Sequence, residues 1–553
     1  MSKIKIRTIS SLEKCLADGL IENTKEIKKL SLLRNETASF QIAYQMDDGW
    51  NKKINYFIRV KGPAKDYVKI FRVLEMPAAT PILDEEHDKD VLGSKSGLFP
   101  DLLLPAKEDE EYFLTNHRLL TLWIDVEPDE KISGKSELEV DFLDEEGSVL
   151  GSTDIEIDII DELLPRQEII HTEWFYCDTL MSYYHTSAFD ERHWEIIERF
   201  MKKAVANGIN MILTPVFTYA LDTKVGAERP TTQLVKVNVN GDSEYEFDFE
   251  LFDRFINLAK SCGYEYFEMG HLFTQWGAKA TPKVIAQTCD GPKRIFGWDV
   301  ASTDGRYKDF LMQFMPKLVE ELKRLKVFDK TFYHISDEPR ESSLENYKTG
   351  YDLIKQFVPE DKIIDAMSNF SFYEKKVLNK PVPSTEALKR FIDAGVSNLW
   401  TYYCCDARIK LSNRYFAMPS YRTRVLGIQL YLYDIAGFLH WGYNFYFSQF
   451  SLRPINPFVQ TDCDGFAESG DAFLVYPGPD GEPLDSVRLK LLRDAFQDIR
   501  ALKLLEEKKG KTFVHDLIKE ELGEITFTEY PRFIKCYITF REKVNGLIRG
   551  DTY

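Results

Sequence analysis

The sequence predicts a multidomain chain: an N-terminal all-β sandwich over residues 1–165, a (β/α)8 TIM-type barrel over 166–510 and a C-terminal helical segment over 511–553. Three observations predict it. Up to Pro165 the chain is written in short runs that alternate apolar and polar residues, the period of a half-buried strand. After Gln167 apolar runs alternate with amphipathic stretches of helical period, the pattern of β/α units. From Asp485 onward the periodicity stays helical.

In the first part the β runs are Ser39–Met46, Ile54–Val60, Leu119–Glu127 and Ser136–Asp144, with turn signals at Asp47-Asp48-Gly49 and Glu145-Glu146-Gly147. The segment Asp84–Glu111 reads as loop-rich, with the apolar run Gly97–Pro105 in its middle. In the second part the β runs are Glu168–Tyr176, Ile209–Phe217, Tyr264–Phe273, Thr331–Pro339, Lys362–Asn369, Asn398–Cys404, Gly437–Phe447 and Ala472–Gly478. Between them, the stretches that finish at Gly208 and Gly263 carry a helical stripe and stop on glycine, a helix-end signal. Runs of this length and number suit a closed barrel; an open doubly wound sheet is the alternative. Asp485–Gly510 reads as the helix that closes the barrel, and further helix follows.

The chain has 553 residues and 89 acidic against 71 basic side chains, a net charge of -18 that argues against a nucleic-acid partner. No stretch approaches the roughly 18 apolar residues of a membrane span, and the N-terminus lacks the apolar core of a signal peptide. No membrane partner and a cytoplasmic location are therefore expected. The eight cysteines show neither C-x-x-C nor metal-ligand spacing, so no metal site is expected. There is no Walker A loop, no dinucleotide glycine motif and no H-E-x-x-H, and no cofactor is implied. The oligomeric state is left open. Aromatic residues are plentiful, with 28 Tyr, 38 Phe and 8 Trp. They suit either a large core or a ligand with apolar C–H faces ringed by hydroxyls, such as a sugar.

Barrel active sites lie at the C-terminal ends of the strands. The fourth β run ends in His334-Ile335-Ser336-Asp337-Glu338-Pro339, where two adjacent carboxyls meet a proline that stops the ladder. A helix N-terminus is the competing reading of those residue types. Two carboxyls in one pocket cannot both ionise freely, so one stays protonated near neutral pH and can act as a general acid. A glycosidase of the usual type needs a second carboxylate as nucleophile or base. The seventh run, Gly437–Phe447, contains no carboxylate, which leaves Asp406 and Glu173 as partners, or a route in which the substrate's own 2-acetamido group attacks.

His334–Pro339, the block Gly470–Gly478, Ser486-Val487-Arg488-Leu489 with Leu492-Arg493-Asp494, and the early segment Arg34–Gln41 together resemble glycoside hydrolase family 123. The resemblance spans nearly the whole chain. It implies a retaining exo-glycosidase that removes terminal β-linked N-acetylgalactosamine from glycans or glycosphingolipid oligosaccharides through an oxazoline intermediate. It implies Glu338 as acid/base and Asp337 as the group assisting the acetamido. A β-N-acetylglucosaminidase, a barrel glycosidase with its own carboxylate nucleophile and a non-catalytic carbohydrate-binding protein are the alternatives.

Seven further residues are candidates for binding the sugar. Trp174, Trp400 and Trp441 offer a floor for it, although tryptophan in a barrel strand is more often core. Tyr403 and Tyr446 offer hydroxyls for the acetamido oxygen, and Asn444 and His271 lie near strand ends where they can read sugar hydroxyls. His334, deeper than Glu338, is expected to orient the acid. Arg488 and Arg493 are expected in structural ion pairs.

Overall fold

The computed structural model describes residues 4–46, 53–83, 86–241 and 243–551; the turn expected at Asp47-Asp48-Gly49 lies outside them. The chain forms two compact units. One is made of residues 1–167, 408–432 and 484–553, the other of 168–407 and 433–483.

The first unit is sheet-rich. Its strands are β1 (Ile4–Ser10), β2 (Lys29–Leu33), β3 (Ala38–Met46), β4 (Lys53–Lys61), β5 (Val68–Ala78), β6 (Gly97–Pro105), β7 (Tyr112–Thr115), β8 (Leu120–Val126), β9 (Gly134–Leu143) and β10 (Val149–Ile160). One sheet runs β1-β3-β8-β5-β6, antiparallel throughout. The other runs β2-β10-β9-β4-β7 and is antiparallel except where β2 meets β10. The alternation seen in the sequence explains the packing. Phe40, Ile42 and Tyr44 of β3 and Leu122, Ile124 and Val126 of β8 share one core with Leu138, Val140 and Phe142 of β9 and Ile155, Ile157 and Ile159 of β10. The segment expected to be loop-rich contains β6, paired along its length with β5. Two prolines within Gly97–Pro105 disguised it, since proline usually demotes a strand reading.

A second core of the same unit joins Trp123, Phe71, Val73 and Leu103 to the helices Ser420–Leu432, Val487–Lys509, Lys511–Leu522 and Ile534–Arg549. Buried charge fixes the contact. Arg488 grips Asp101 through Nε and Nη2 at 2.8 and 2.9 Å, and Lys490 meets Asp125 at 2.9 Å. Arg493 also reaches Asp125, and donates to Ser39 Oγ at 2.8 Å. The sequence divides the chain at 165 and 510. The observed unit instead gathers 484–553 with the β domain, because these helices bury their apolar faces against it.

The second unit is mixed α/β around a curled parallel sheet. Its strand order is Thr331–Tyr333, Tyr266–Met269, Met211–Thr214, Ile170–Glu173, Gly437–His440, Trp400–Tyr402. A separate parallel pair, Asp365–Ala366 with Pro381–Val382, is tied to the sheet's two outer strands. Parallel bridges join Tyr333 to Ile363 and Ser384 to Tyr402. Every strand is short, so the expected runs extend past the ladder into the loops that carry the site. Within Ala472–Gly478 only Tyr476–Pro477 is a strand, and it stands outside this six-stranded sheet; Phe473 makes one antiparallel bridge to Asn444. In its place Pro381–Val382 is a parallel strand, too short for any periodicity to register. Among the described residues no helix is long and apolar enough to cross a membrane.

Candidate active site

The parallel strand Thr331–Tyr333 ends just before His334, and the turn that follows is built by hydrogen bonds. Asp365, on the neighbouring strand, accepts from the backbone N–H of Ile335 at 3.1 Å, from Tyr347 Oη at 2.7 Å, and bonds His334 Nδ1 at 3.1 Å. Ser336 Oγ accepts from the N–H of Gly277 and Ala278 and donates to the Thr274 carbonyl at 2.8 Å. The Trp276 N–H donates to the Asp337 carbonyl at 2.7 Å. Glu338 then takes φ +39°, in the left-handed region that L side chains rarely enter. The strand's alternation is broken there, so adjacent side chains reach one cavity. A backbone of this kind costs on the order of 1–3 kcal/mol and persists where the surroundings over-determine it.

The cavity measures about 110 Å³. Asp337, Glu338 and Asp222 supply carboxyls; Trp174, Tyr176, Trp276, Tyr402, Trp441 and Phe466 supply aromatic walls; Gln275, Cys404 and Cys405 complete the polar lining. Tyr402 Oη donates to Glu338 Oε1 at 2.5 Å, leaving Oε2 for a proton. Burial pushes Glu338 above the usual glutamate range, the Tyr402 bond pulls it back, and the charge of Asp406 pushes it up again. Burial pushes Asp337 well up, reinforced by the charges of Glu338 and Asp365 and opposed by His334. Burial also lifts Asp222 to about 6, against the pull of Arg229. The pocket therefore keeps a proton near neutral pH.

His334 lies beneath the pair rather than against the acid. Burial opposes its charge, but the hydrogen bonds to Asp365 and to Glu268 Oε2, the latter at 2.8 Å, outweigh it and hold the imidazole up at about 9. His271 stacks on it at 4.3 Å and is driven neutral by burial and by that charge. Among the described residues, His271, His334 and Asp365 are a set whose ligand atoms lie close enough to share a metal. The two rings are nearly parallel, at 14°, so their in-plane lone pairs do not converge, and both nitrogens of His334 already face carboxylates. The arrangement fits a charged histidine held by two acids, not a metal centre.

Of the nine residues singled out from the sequence, Asp337, Glu338, Trp174 and Trp441 line the cavity. Trp441 is held by its indole N–H donating to Asp471 Oδ2 at 2.8 Å. The other five do not line it. Trp400 is core, packed on Phe332 at 5.1 Å and on Gly437, where a Cβ would stand 2.2 Å from the indole. Tyr403 points to Phe438 and His440. Tyr446 donates to the Val475 carbonyl at 2.8 Å. His271 sits between His334 and Trp174. Asn444 clamps the backbone N–H and carbonyl of Tyr176 at 2.9 and 3.0 Å, and so acts on a wall residue at one remove. Sequence reasoning missed Asp222, Gln275, Trp276 and Tyr402. Tyr402 ends its strand, but the run read from the sequence continues to Cys404 and does not mark that end; the other three stand on loops with no motif.

The carboxyl of Asp222 yields a stability prediction. Its pKa is raised on folding, so the folded state binds the proton more tightly, and stability falls as pH rises from about 4 to about 6. Above that window the cost is at most about 3 kcal/mol. Asp222→Asn is expected to melt several degrees above the parent at pH 7 and level with it at pH 4, read by scanning calorimetry. A variant less stable at pH 7 would show that the carboxylate is held by partners instead.

The family model for the glycoside hydrolase 123 catalytic domain matches residues 174–505. A solved family 123 glycoside hydrolase from Clostridium perfringens, studied for glycolipid glycan hydrolysis, is similar over 99% of this chain and 98% of its own, at 15% identity and a TM-score of 0.73. Looser likeness extends to a Parabacteroides merdae β-glucuronidase, with 9% identity, 89% and 54% coverage and a TM-score of 0.31. A Thermotoga petrophila endo-β-1,4-mannanase shows 11% identity, 61% and 78% coverage and a TM-score of 0.33. No curated protein matches the chain.

Proposed function

The chain belongs to glycoside hydrolase family 123, and on that premise we propose that it is a retaining exo-β-N-acetylgalactosaminidase whose nucleophile is the substrate's own 2-acetamido group. The observation that carries this reading is the adjacent pair Asp337 and Glu338 in a small aromatic cavity. We read the curled sheet as a (β/α)8 barrel, since the bridges at Tyr333 and Ser384 order eight parallel strands around it. The pair then stands at the strands' C-terminal ends, where barrels carry their chemistry. Terminal residues of glycans or glycosphingolipid oligosaccharides are the proposed substrates; the Clostridium perfringens relative's link to glycolipid glycans supports the latter.

The chemistry follows from the proton count. The acetamido N–H of a bound sugar is a donor and selects the ionised form of Asp337, which leaves the pair's proton on Glu338. Glu338 gives that proton to the glycosidic oxygen as the C1–O bond breaks, while the acetamido carbonyl oxygen bonds to C1 and forms an oxazolinium ion. Asp337 stabilises the positive charge. A water then loses a proton to the Glu338 carboxylate and opens the ring at C1, so two inversions leave the anomeric configuration unchanged. A protein nucleophile is the rival mechanism, and in this cavity it falls to Asp222. Glu173 is instead tied to His171 at 3.1 Å and to His440, and Asp406 lines an adjoining cavity.

The test is the stereochemistry of the first product. Nitrophenyl β-N-acetylgalactosaminide is expected to release the β-anomer first, seen by proton NMR before mutarotation, and to be cleaved faster than its gluco epimer. An α-anomer first, or a preference for the gluco epimer, overturns the mechanism or the specificity respectively.

A further inference from the structure

Glu338 belongs to two cavities. Besides the aromatic pocket it lines a second space of about 370 Å³, together with Tyr402 and Cys404. The linings contrast. The first is walled by tryptophan, tyrosine and phenylalanine, the second by Arg340, Asn369, Ser384, Glu386 and Asp406. A general acid must touch the oxygen between the sugar it releases and the group that leaves. A space on each side of that acid is what a cleaved bond requires.

We propose that the second cavity is the leaving-group subsite and that it selects an uncharged sugar there over an anionic one. The proposal rests on the reading of Glu338 as the acid. Its donors and acceptors are mixed, as a polyhydroxyl ring needs. Asn369 spends Oδ1 on the Ser371 N–H, and its amide NH2 has no partner among the described residues. Ser384 and the carboxylates of Glu386 and Asp406 accept. Neither Glu386 nor Asp406 has an ion-pair partner among the described residues, while Glu341 is matched by Lys375 at 2.9 Å. Arg340 is the one cation in the lining, against the two unmatched carboxylates and the carboxyl of Glu338. A carboxylate on the leaving sugar meets repulsion from the cavity and raises the proton demand on Glu338 as well.

The test uses three substrates with the same N-acetylgalactosamine: its β-linked nitrophenyl glycoside, a disaccharide with galactose as the leaving sugar, and one with glucuronic acid, the last also as its methyl ester. The ester keeps the shape and removes the charge. It is expected to be cleaved at least about 10-fold faster in kcat/KM than the free acid, a gap that narrows with added salt, as screening of exposed charge dictates. Asn369→Ser keeps a side-chain oxygen for the helix cap and removes the amide donors. It is expected to lower the ratio of kcat/KM for the galactose disaccharide over the nitrophenyl substrate by about 10-fold. Equal rates on acid and ester, or a ratio unmoved by Asn369→Ser in a folded variant, overturn the subsite while leaving the enzyme's activity in place. Failure to cleave the nitrophenyl glycoside overturns the functional reading beneath it.

Discussion

A β-galactoside without the 2-acetamido group is expected to enter the pocket and remain uncleaved. An enzyme with a carboxylate nucleophile loses only the acetamido contacts, a matter of binding. An enzyme that borrows the acetamido oxygen loses the bond-forming step itself. The advantage of that step is proximity, with effective molarities that reach about 10⁵–10⁸ M in well-oriented cases. The loss in kcat is therefore expected to exceed about 10⁵-fold, measured with nitrophenyl β-galactoside against the acetamido parent. A thiazoline that copies the bicyclic intermediate is expected to bind far more tightly than free N-acetylgalactosamine, as ligands resembling the transition state do. Brisk hydrolysis of the galactoside without thiazoline inhibition would move the nucleophile to the protein, where Asp222 is the carboxylate to replace first.

Glu338→Gln is expected to slow the release of a sugar leaving group by about 10²–10⁴-fold. The loss on a nitrophenyl glycoside is expected to be smaller, since that leaving group departs without much help from a proton. Added azide is expected to restore part of the second step, because a small anion needs no general base. The hydrogen bond from Tyr402 remains available to the amide oxygen, so the variant keeps its geometry. Equal losses on both substrate types would remove Glu338 from the acid role. The raised pKa sets the pH course too. The acid form survives above the ordinary glutamate range, so activity on sugar leaving groups declines at higher pH than a solvated glutamate would allow.

Much of this architecture was legible because its physics is local. The alternation along β3, β8, β9 and β10 has the period of a strand, and the same residues build the core. The carboxyl pair was legible because few places in a β/α chain set two acids before a proline at a strand end. What the sequence hid was long-range. Nothing local distinguishes Tyr402 from Tyr403, yet one hydroxyl reaches Glu338 and the other side chain turns to Phe438. Trp400 reads as a sugar platform until Gly437 is seen to leave room for its ring. Asp222 and Gln275 stand on loops where no periodicity exists to betray them. The strand Pro381–Val382 went unread because two residues carry no pattern, whereas Ala472–Gly478 carries a strand-like pattern over seven residues and only Tyr476–Pro477 of it is a strand.

The first unit is discontinuous in the chain, and that shapes how the protein comes into being. Trp123 and Asp125 of β8 emerge early from the ribosome, but Lys490 and Arg493, which cover and neutralise Asp125, are translated some hundreds of residues later. Until then the buried acid and the apolar face around Trp123 stand exposed on a nascent chain, a state in which sticky surfaces invite aggregation. The intervening segments 168–407 and 433–483 are free to collapse first, as an insertion inside a domain that waits for its own end. The β domain cannot be excised by a cut at one place, and grafting another protein's N-terminal domain onto the rest would strand the helices that complete it.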